Sequence, residues 1–270
     1  MAFSSFAQQP DRDLDLVEGA VAVARIAYPG LEVSAVRARL DELAAPLIPL
    51  GLARLPAAAQ ARALADHLYR VHGFRGNQEA YLDPQNSFIN AVLERRLGIP
   101  ITLAVVYVEV ARRLGVVARG VGFPGHFLVR IDDARDTVVI DPFFGGEILD
   151  RGALSDLLRR VAPRMNLRDE MLDPASVRHI VARMLMNLRG IYAARADSGR
   201  LLAVLDHLID LMPDAADEVR DRGFLCARLG APQFAVADLR HYLDALPHAG
   251  DVAEVRRAIE RLESTSGVVH

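Results

Sequence analysis

A single cysteine, Cys226, stands among 270 residues, so the chain forms no internal disulfide and holds no paired-cysteine metal site. Nucleotide and metalloprotease signatures are missing too: there is no GxxxxGKS/T, no GxGxxG and no HExxH. His67 and His72 lie five apart, off a common α-helical face, and the remaining histidines show no ligand spacing. Neither a metal nor a cofactor is expected. No apolar run reaches about 18 residues without a charge, so no membrane span is expected. The start, MAFSSFAQQPDRDLDL, lacks the basic opening and apolar core of a signal peptide. With the lone cysteine, this predicts a cytoplasmic protein. A net charge of -3 gives no electrostatic argument for nucleic acid or anionic lipid, and neither is expected as a partner. No feature speaks to oligomeric state.

What is present is a globular composition, 51% apolar and 25% charged. Apolar residues at three- and four-residue steps predict helices over 13–28, 33–52 and 56–72, the second weakened by Pro46 and Pro49. The stretch GFRGNQEAYLDPQN, 73–86, reads as a loop. A short helix over 87–97 is expected to stop at Gly98, and a helix apolar almost all round follows over 100–114. Beyond Gly115 the period shortens towards two, and 116–123, 126–131 and 137–140 are the strand candidates. A further short helix is expected over 153–161.

From Pro174 the chain is helical and repeats itself. LDHLIDLMP, ending at Pro213, and LRHYLDALP, ending at Pro247, are 34 residues apart, superposing Leu205 on Leu239 and His207 on His241. That period belongs to tetratricopeptide helix pairs, which bury their apolar faces by stacking. Equivalence of the two histidines argues for solvated helix faces. Cys226 reads as a small core residue. Two domains are therefore expected, 1–165 and 174–270.

His126 and Asp141 form the candidate site. If the DDAR segment, 132–135, makes a two- or four-residue hairpin loop, Ile131 faces Asp136, Arg130 faces Thr137, Leu128 faces Val139 and His126 faces Asp141. Opposed residues share a face, with Cβ atoms about 4.5 to 5.5 Å apart. A three-residue loop would send one partner to the other face. Such a pair is the orienting half of a catalytic triad, whose reacting group would come from a helix N-terminus. The helix from Pro100 offers Pro100, Ile101, Thr102 and Leu103.

GIPITLAVVYVEVARRLGVVARGV, GHFLVRI and VVIDPF together resemble the transglutaminase-like core, a branch of the papain-like fold in which a Cys opens a buried helix and His and Asp follow on successive strands. Over nearly the full length, the order GFRGN, NSFINAVLERRLGIPITL, FPGHFLVR, IDPF and a tetratricopeptide-like tail resembles the bacterial SirB-type family. The resemblance implies an α+β fold: a papain/transglutaminase-like core, with a helical lobe on a small antiparallel sheet, followed by an all-α tetratricopeptide-like tail. It also implies that His126 and Asp141 stand at the triad positions. The Cys has no counterpart, because its slot falls on Pro100, or within one helical step on Ile101 or Thr102.

Two readings of Thr102 stay open, a hydroxyl nucleophile with His126 as base or a first-turn residue bonding to nearby backbone. His126 and Asp141 are either an ancestral site or a structural pair. Asn86 and Asn90, four apart, line the same cleft or serve as caps and loop fixers; Arg95 and Arg96 bind an anion or complement a helix C-terminus. The expectation is a transglutaminase-like protein without its catalytic cysteine, a pseudoenzyme that binds a protein or peptide through the tail, the cleft or both. The alternative is a hydrolase or acyl-transferase using Thr102 or water with His126 and Asp141.

Overall fold

Prolines and glycines interrupt the first third of the chain at close intervals, and its helices are correspondingly short. In the computed structural model, which describes residues 3–266, they are α1 (Phe3–Ala7), α2 (Leu16–Ala24), α3 (Val33–Ala44) and α4 (Ala57–Ala65). Asp15 caps α2 by accepting from the Glu18 N–H at 2.9 Å. Pro46 and Pro49 turn the continuation of α3 into a 3-10 segment, Ala45–Leu50, so the single helix expected over 33–52 is divided. After α4 the backbone widens into a π-helical turn, Asp66–Val71.

The GFRGN stretch is not wholly loop. Arg75–Gly76 (β1) pairs in parallel with Leu97–Gly98 (β2) across α5 (Ile89–Arg95). That helix ends on Arg96, not at Gly98: Arg96 takes the left-handed φ of 59° and its guanidinium donates to the His72 carbonyl. Then comes α6 (Pro100–Arg113), in which Ile101, Leu103, Val105, Val106, Tyr107 and Val110 are all buried. Each such side chain contributes about 1.5 to 3 kcal/mol. Its buried Glu109 is paired with Arg113 at 2.8 Å, and Gly115, at φ +70°, ends it.

Four antiparallel strands follow in sequential order, β3 (Val117–Val121), β4 (Leu128–Asp132), β5 (Thr137–Asp141) and β6 (Glu147–Leu149), the last of which periodicity missed. α6 packs on β3 and β4, and α7 (Arg151–Val161) adds Leu154, Leu157 and Leu158 to a cluster with Val121, Phe123 and Leu128. The β4–β5 register differs from the expected one by two residues: Thr137 faces Asp132, and Arg130 faces Val139. Polar chemistry at the tip sets it. Asp133 Oδ1 accepts from the N–H of Arg135 at 2.6 Å and of Asp136 at 2.8 Å, and Thr137 Oγ1 donates to Asp132 Oδ1 at 2.7 Å. A slip of two keeps every side chain on its expected face.

The tail comprises α8 (Val177–Ala194), α9 (Ser198–Leu211), α10 (Ala216–Arg228), α11 (Pro232–Ala245) and α12 (Val252–Ser266). The buried stripe of α9, Leu201, Leu205 and Leu208, recurs on α11 as Ala235, Leu239 and Tyr242. Arg222 of α10 bridges the repeats, bonding to Asp206 and Asp238 at 2.8 Å each. The chain divides at Met184–Leu185, inside α8, into the unit Gln9–Met184 and a unit that joins the segment up to Gln8 to the helical tail. The sequence puts the change of architecture earlier, at 165–174. Within the tail unit α1 packs on α9, where Phe3 stacks on His207 at 3.9 Å. The equivalence of His207 and His241 therefore fails: His241 is exposed, whereas burial lowers the pKa of His207.

Asp133 also accepts from the Ala57 N–H at 2.5 Å, so one carboxylate caps both the hairpin and α4. The N–H groups of Arg135, Ala57 and Asp136 hold its carboxyl below the ordinary carboxylate range. The folded form thus binds the proton less readily than the unfolded chain. The stabilisation is complete above about pH 5 and is lost as pH falls through the depressed value. Thermal melts of wild type and Asp133→Ala should differ at neutral pH and converge in acid; a constant gap would show that the charge contributes nothing.

Candidate functional site

His126 is delivered by a turn and not by a strand. In Phe123-Pro124-Gly125-His126 the His126 N–H donates to the Phe123 carbonyl at 3.0 Å, and Gly125 has φ +64°. Proline second and a positive-φ glycine third is the signature of a type II turn. A Cβ on Gly125 would stand 2.9 Å from Val161 Cβ, a second reason for glycine. His126 leaves this turn two residues before β4 begins.

Asp141 ends β5, and its carboxylate organises the turn that follows. Oδ1 accepts from the N–H of Phe143 at 2.9 Å and of Phe144 at 3.3 Å, and the Asp141 carbonyl accepts from Gly146 N–H at 2.8 Å. Oδ2 meets His126 Nε2 at 2.9 Å. The two side chains thus come together although the strand register differs from the expected one. Both are buried, at 8% and 3% exposure, so the carboxylate relies on these donors in place of water. Facing a carboxylate, Nε2 carries the proton, which leaves Nδ1 of the neutral ring as an acceptor. Among the described residues no side chain hydrogen-bonds to Nδ1.

Aromatic rings wall the pair. Phe143 lies edge-on to His126 at 6.3 Å and 90°, and Phe144 stacks beside it at 6.4 Å and 23°. Tyr81 meets Phe143 at 5.9 Å. Phe144 and Tyr81 are about half exposed, while Phe143 is buried against Gly76, where a Cβ would stand 2.5 Å from its ring and 2.7 Å from its carbonyl oxygen. Gly76 is a site-positioning residue that the sequence placed only within the loop expected over 73–86. Tyr69 was also missed: its ring meets Gly146, and its buried hydroxyl has no hydrogen-bond partner among the described residues. Burial, with Tyr107 and Asp141 nearby, raises the pKa of that hydroxyl.

Thr102 sits in the first turn of α6 with no exposed surface. Its Oγ1 accepts from the Ile99 N–H at 3.2 Å and lies 2.7 Å from the Asn86 carbonyl and 3.1 Å from the Ile99 carbonyl. The single hydroxyl proton is thereby committed to backbone. Asn86 is fully buried in a 3-10 turn, Pro84–Ser87, donating to the Ala80 carbonyl at 2.7 Å and accepting from Asn77 Nδ2 at 3.0 Å. It fixes the loop.

Asn90 is not beside Asn86 in a common cleft. It lines a separate hollow of about 380 Å³ with Leu31, Arg39 and Glu94, because the 3-10 turn takes Asn86 off the face of α5. Arg95 is paired with Asp83 at 2.9 Å. Cys226 belongs to the tail unit, buried in α10. His67 and His72, by contrast, do share a face: the π-turn aligns residues five apart, and their rings meet at 4.5 Å. His67 Nε2 bonds to the Leu43 carbonyl at 2.7 Å. Among the described residues no cluster of three or more ligating side chains occurs, and no helix is long and apolar enough to cross a membrane.

Comparison with known proteins agrees with this architecture. Residues 34–186 match the family model of the transglutaminase-like superfamily, and residues 188–260 match a tetratricopeptide repeat model. Relatives include a UPF0162 protein of Xylella fastidiosa (strain Temecula1), 37% identical over 262 residues that cover 94% of this chain and 92% of the relative. A UPF0162 protein of Vibrio cholerae is 27% identical, with 96% and 97% covered. The protein SirB1 of Salmonella typhimurium is 25% identical over 203 residues, 75% of this chain and 76% of its own length.

Two measurements test these assignments. Thr102→Val should cost about 1 to 3 kcal/mol in denaturant unfolding, because it strands the Ile99 N–H and the Asn86 carbonyl, whereas Thr102→Ser should keep most of that stability. Gly76→Ala should displace Phe143 and lower stability by about 1 to 3 kcal/mol; unchanged unfolding together with an unchanged Phe143 environment by NMR would refute the close approach.

Proposed function

The chain belongs to the transglutaminase-like superfamily, and from that membership we propose that it is a non-catalytic member, a cytoplasmic protein that binds another protein or a peptide. One observation supports the reading: the hydroxyl at the opening of α6 is buried and bonded to backbone, and among the described residues no hydroxyl or thiol hydrogen-bonds to the His126–Asp141 pair, which offers a base and an orienting carboxylate. A base of this kind accelerates acyl transfer by taking a proton from a nucleophile in reach. Cys226, the one thiol, is a core residue of the tail unit, where burial raises its pKa and makes it less reactive. The tetratricopeptide repeats support the binding half, since stacked helix pairs present extended surfaces to other proteins.

A second reading has one observation in its favour. Nδ1 of His126 is an acceptor without a hydrogen-bond partner among the described residues, which is what activation of a water would require. Thr102 does not serve that reading, because rotating its hydroxyl towards a substrate breaks its bonds to the backbone of Ile99 and Asn86.

The two readings separate on His126→Ala. A non-catalytic binder retains its partner in co-purification with this variant, and neither wild type nor variant turns over activated esters or glutamine-containing peptides. Turnover by the wild-type chain that His126→Ala abolishes, with the fold intact by circular dichroism, would establish the hydrolase.

A further inference from the structure

The hollow of about 380 Å³ that Asn90 lines opens between α3 and α5 and shares no residue with the walls of the His126–Asp141 pair. Leu31, Val36 and Leu93 give it apolar sides, and Val36 and Leu93 are buried. Its Leu31 wall is fixed by backbone and side-chain bonds. The Leu31 N–H donates to the Tyr28 carbonyl at 2.9 Å, and Arg25 Nε donates to the Leu31 carbonyl at 2.9 Å. Ala35, in the first turn of α3, is exposed and too short to fill the space. A mostly apolar hollow with a few polar groups, at the lower end of the range of about 300 to 1,000 Å³, has the form of a small-molecule site.

Two polar groups of α5 line it without partners. Asn90 makes no side-chain hydrogen bond among the described residues, and its Oδ1 is buried. It caps no helix, since Phe88 holds the N-cap position of α5. A buried acceptor without a donor lowers stability, and an apolar side chain of similar size would avoid that loss, so the fold gives no reason for the amide. Glu94 lies four residues on, a spacing that shares a helical face. Its carboxylate is exposed and has no ion pair among the described residues, whereas the neighbouring Arg95 and Arg96 are committed to Asp83 and to the His72 carbonyl. Arg39, the cation of the lining, is already paired with Glu42. The unmatched charge of the hollow is therefore negative, and both free groups offer acceptor oxygens.

From this geometry we infer that the hollow between α3 and α5 binds a small primary amine with an apolar body, its ammonium held by Asn90 Oδ1 and the Glu94 carboxylate and its hydrocarbon against Leu31, Val36 and Leu93. The inference is independent of the binding role proposed above and of any chemistry at His126. An ammonium supplies three donors and no acceptor, which is what the lining lacks. A carboxylate ligand would meet Glu94 unfavourably, and a neutral hydrocarbon would leave Oδ1 buried without a donor. Because Glu94 is exposed, the ammonium keeps part of its hydration, which limits the cost of burying it.

The test uses the full chain with 2-phenylethylamine against 3-phenylpropionate, a similar skeleton ending in a carboxylate, read by titration calorimetry at low salt and by the NMR shifts of the Asn90 side-chain amide. For a ligand of about nine non-hydrogen atoms, a Kd of about 1 mM or lower is expected for the amine, with the acid at least tenfold weaker. Ala35→Phe, which puts a ring into the hollow from an exposed position, should weaken amine binding at least tenfold with the melting temperature retained. Glu94→Gln should remove most of the preference for amine over acid. Asn90→Leu should weaken amine binding while its melting temperature rises, because the orphan acceptor is gone. No amine binding at about 10 mM, equal affinity for amine and acid, or amine binding that survives Ala35→Phe would overturn the assignment. So would an Asn90→Leu variant that melts lower and binds the amine as wild type does, since the amide would then serve the fold alone.

Discussion

A carboxylate taken out of water must be given hydrogen-bond donors, and the chain around Asp141 is arranged to supply them. Two come from the backbone of the turn it begins, Phe143 and Phe144, and the third is the imidazole of His126. Each places a demand on a distant stretch. The backbone N–H of Phe143 is in place only because its ring and carbonyl press on a residue without a Cβ, Gly76. Gly76 ends β1 next to Asn77, which bonds to Asn86, and the Asn86 carbonyl is tied to Thr102 at the start of the buried helix. GFRGN, NSFINAVLERRLGIPITL, FPGH and IDPF are thus links of one connected structure. Their joint presence is accounted for by packing and hydrogen bonding before any chemistry is invoked.

That economy bears on how the site is understood. In an acyl-transfer enzyme the carboxylate orients the imidazole so that its other nitrogen can serve a nucleophile. Here the orientation is in place, and the hydroxyl that opens α6 is held by backbone instead. A buried carboxylate is costly to strip of a hydrogen-bond donor, so the contact between His126 and Asp141 stabilises the fold whether or not a proton is moved.

Much of this was legible in the residues, and the exceptions have physical causes. Periodicity found α6 and the 34-residue repeat because both rest on buried stripes, which three- and four-residue spacing records directly. The hairpin register was not legible, since Asp132, Asp133 and Asp136 offer several closures and only the bonds made by Asp133 select one. The relation of His67 to His72 was invisible to an argument built on 3.6 residues per turn, because the backbone there is a π-helix. Asn86 and Asn90 are four apart in sequence, yet a 3-10 turn ends between them. In each case a local hydrogen-bonding choice overrode the periodic pattern.

The tail shows the same competition on a larger scale. Two helix pairs are fewer than a stacked array needs to bury its faces, so each end requires a cover. At α12 the solution is compositional: Glu254, Arg256, Arg257 and Glu260 are exposed while Val255, Ala258 and Ile259 are buried. At α9 the cover is the far end of the chain, with Phe3 stacked on His207. A 34-residue repeat would place equivalent histidines in equivalent surroundings, and the opening helix is what makes them different. The first residues described are therefore part of the repeat architecture, which explains why the chain divides by contact into units that are not contiguous in sequence.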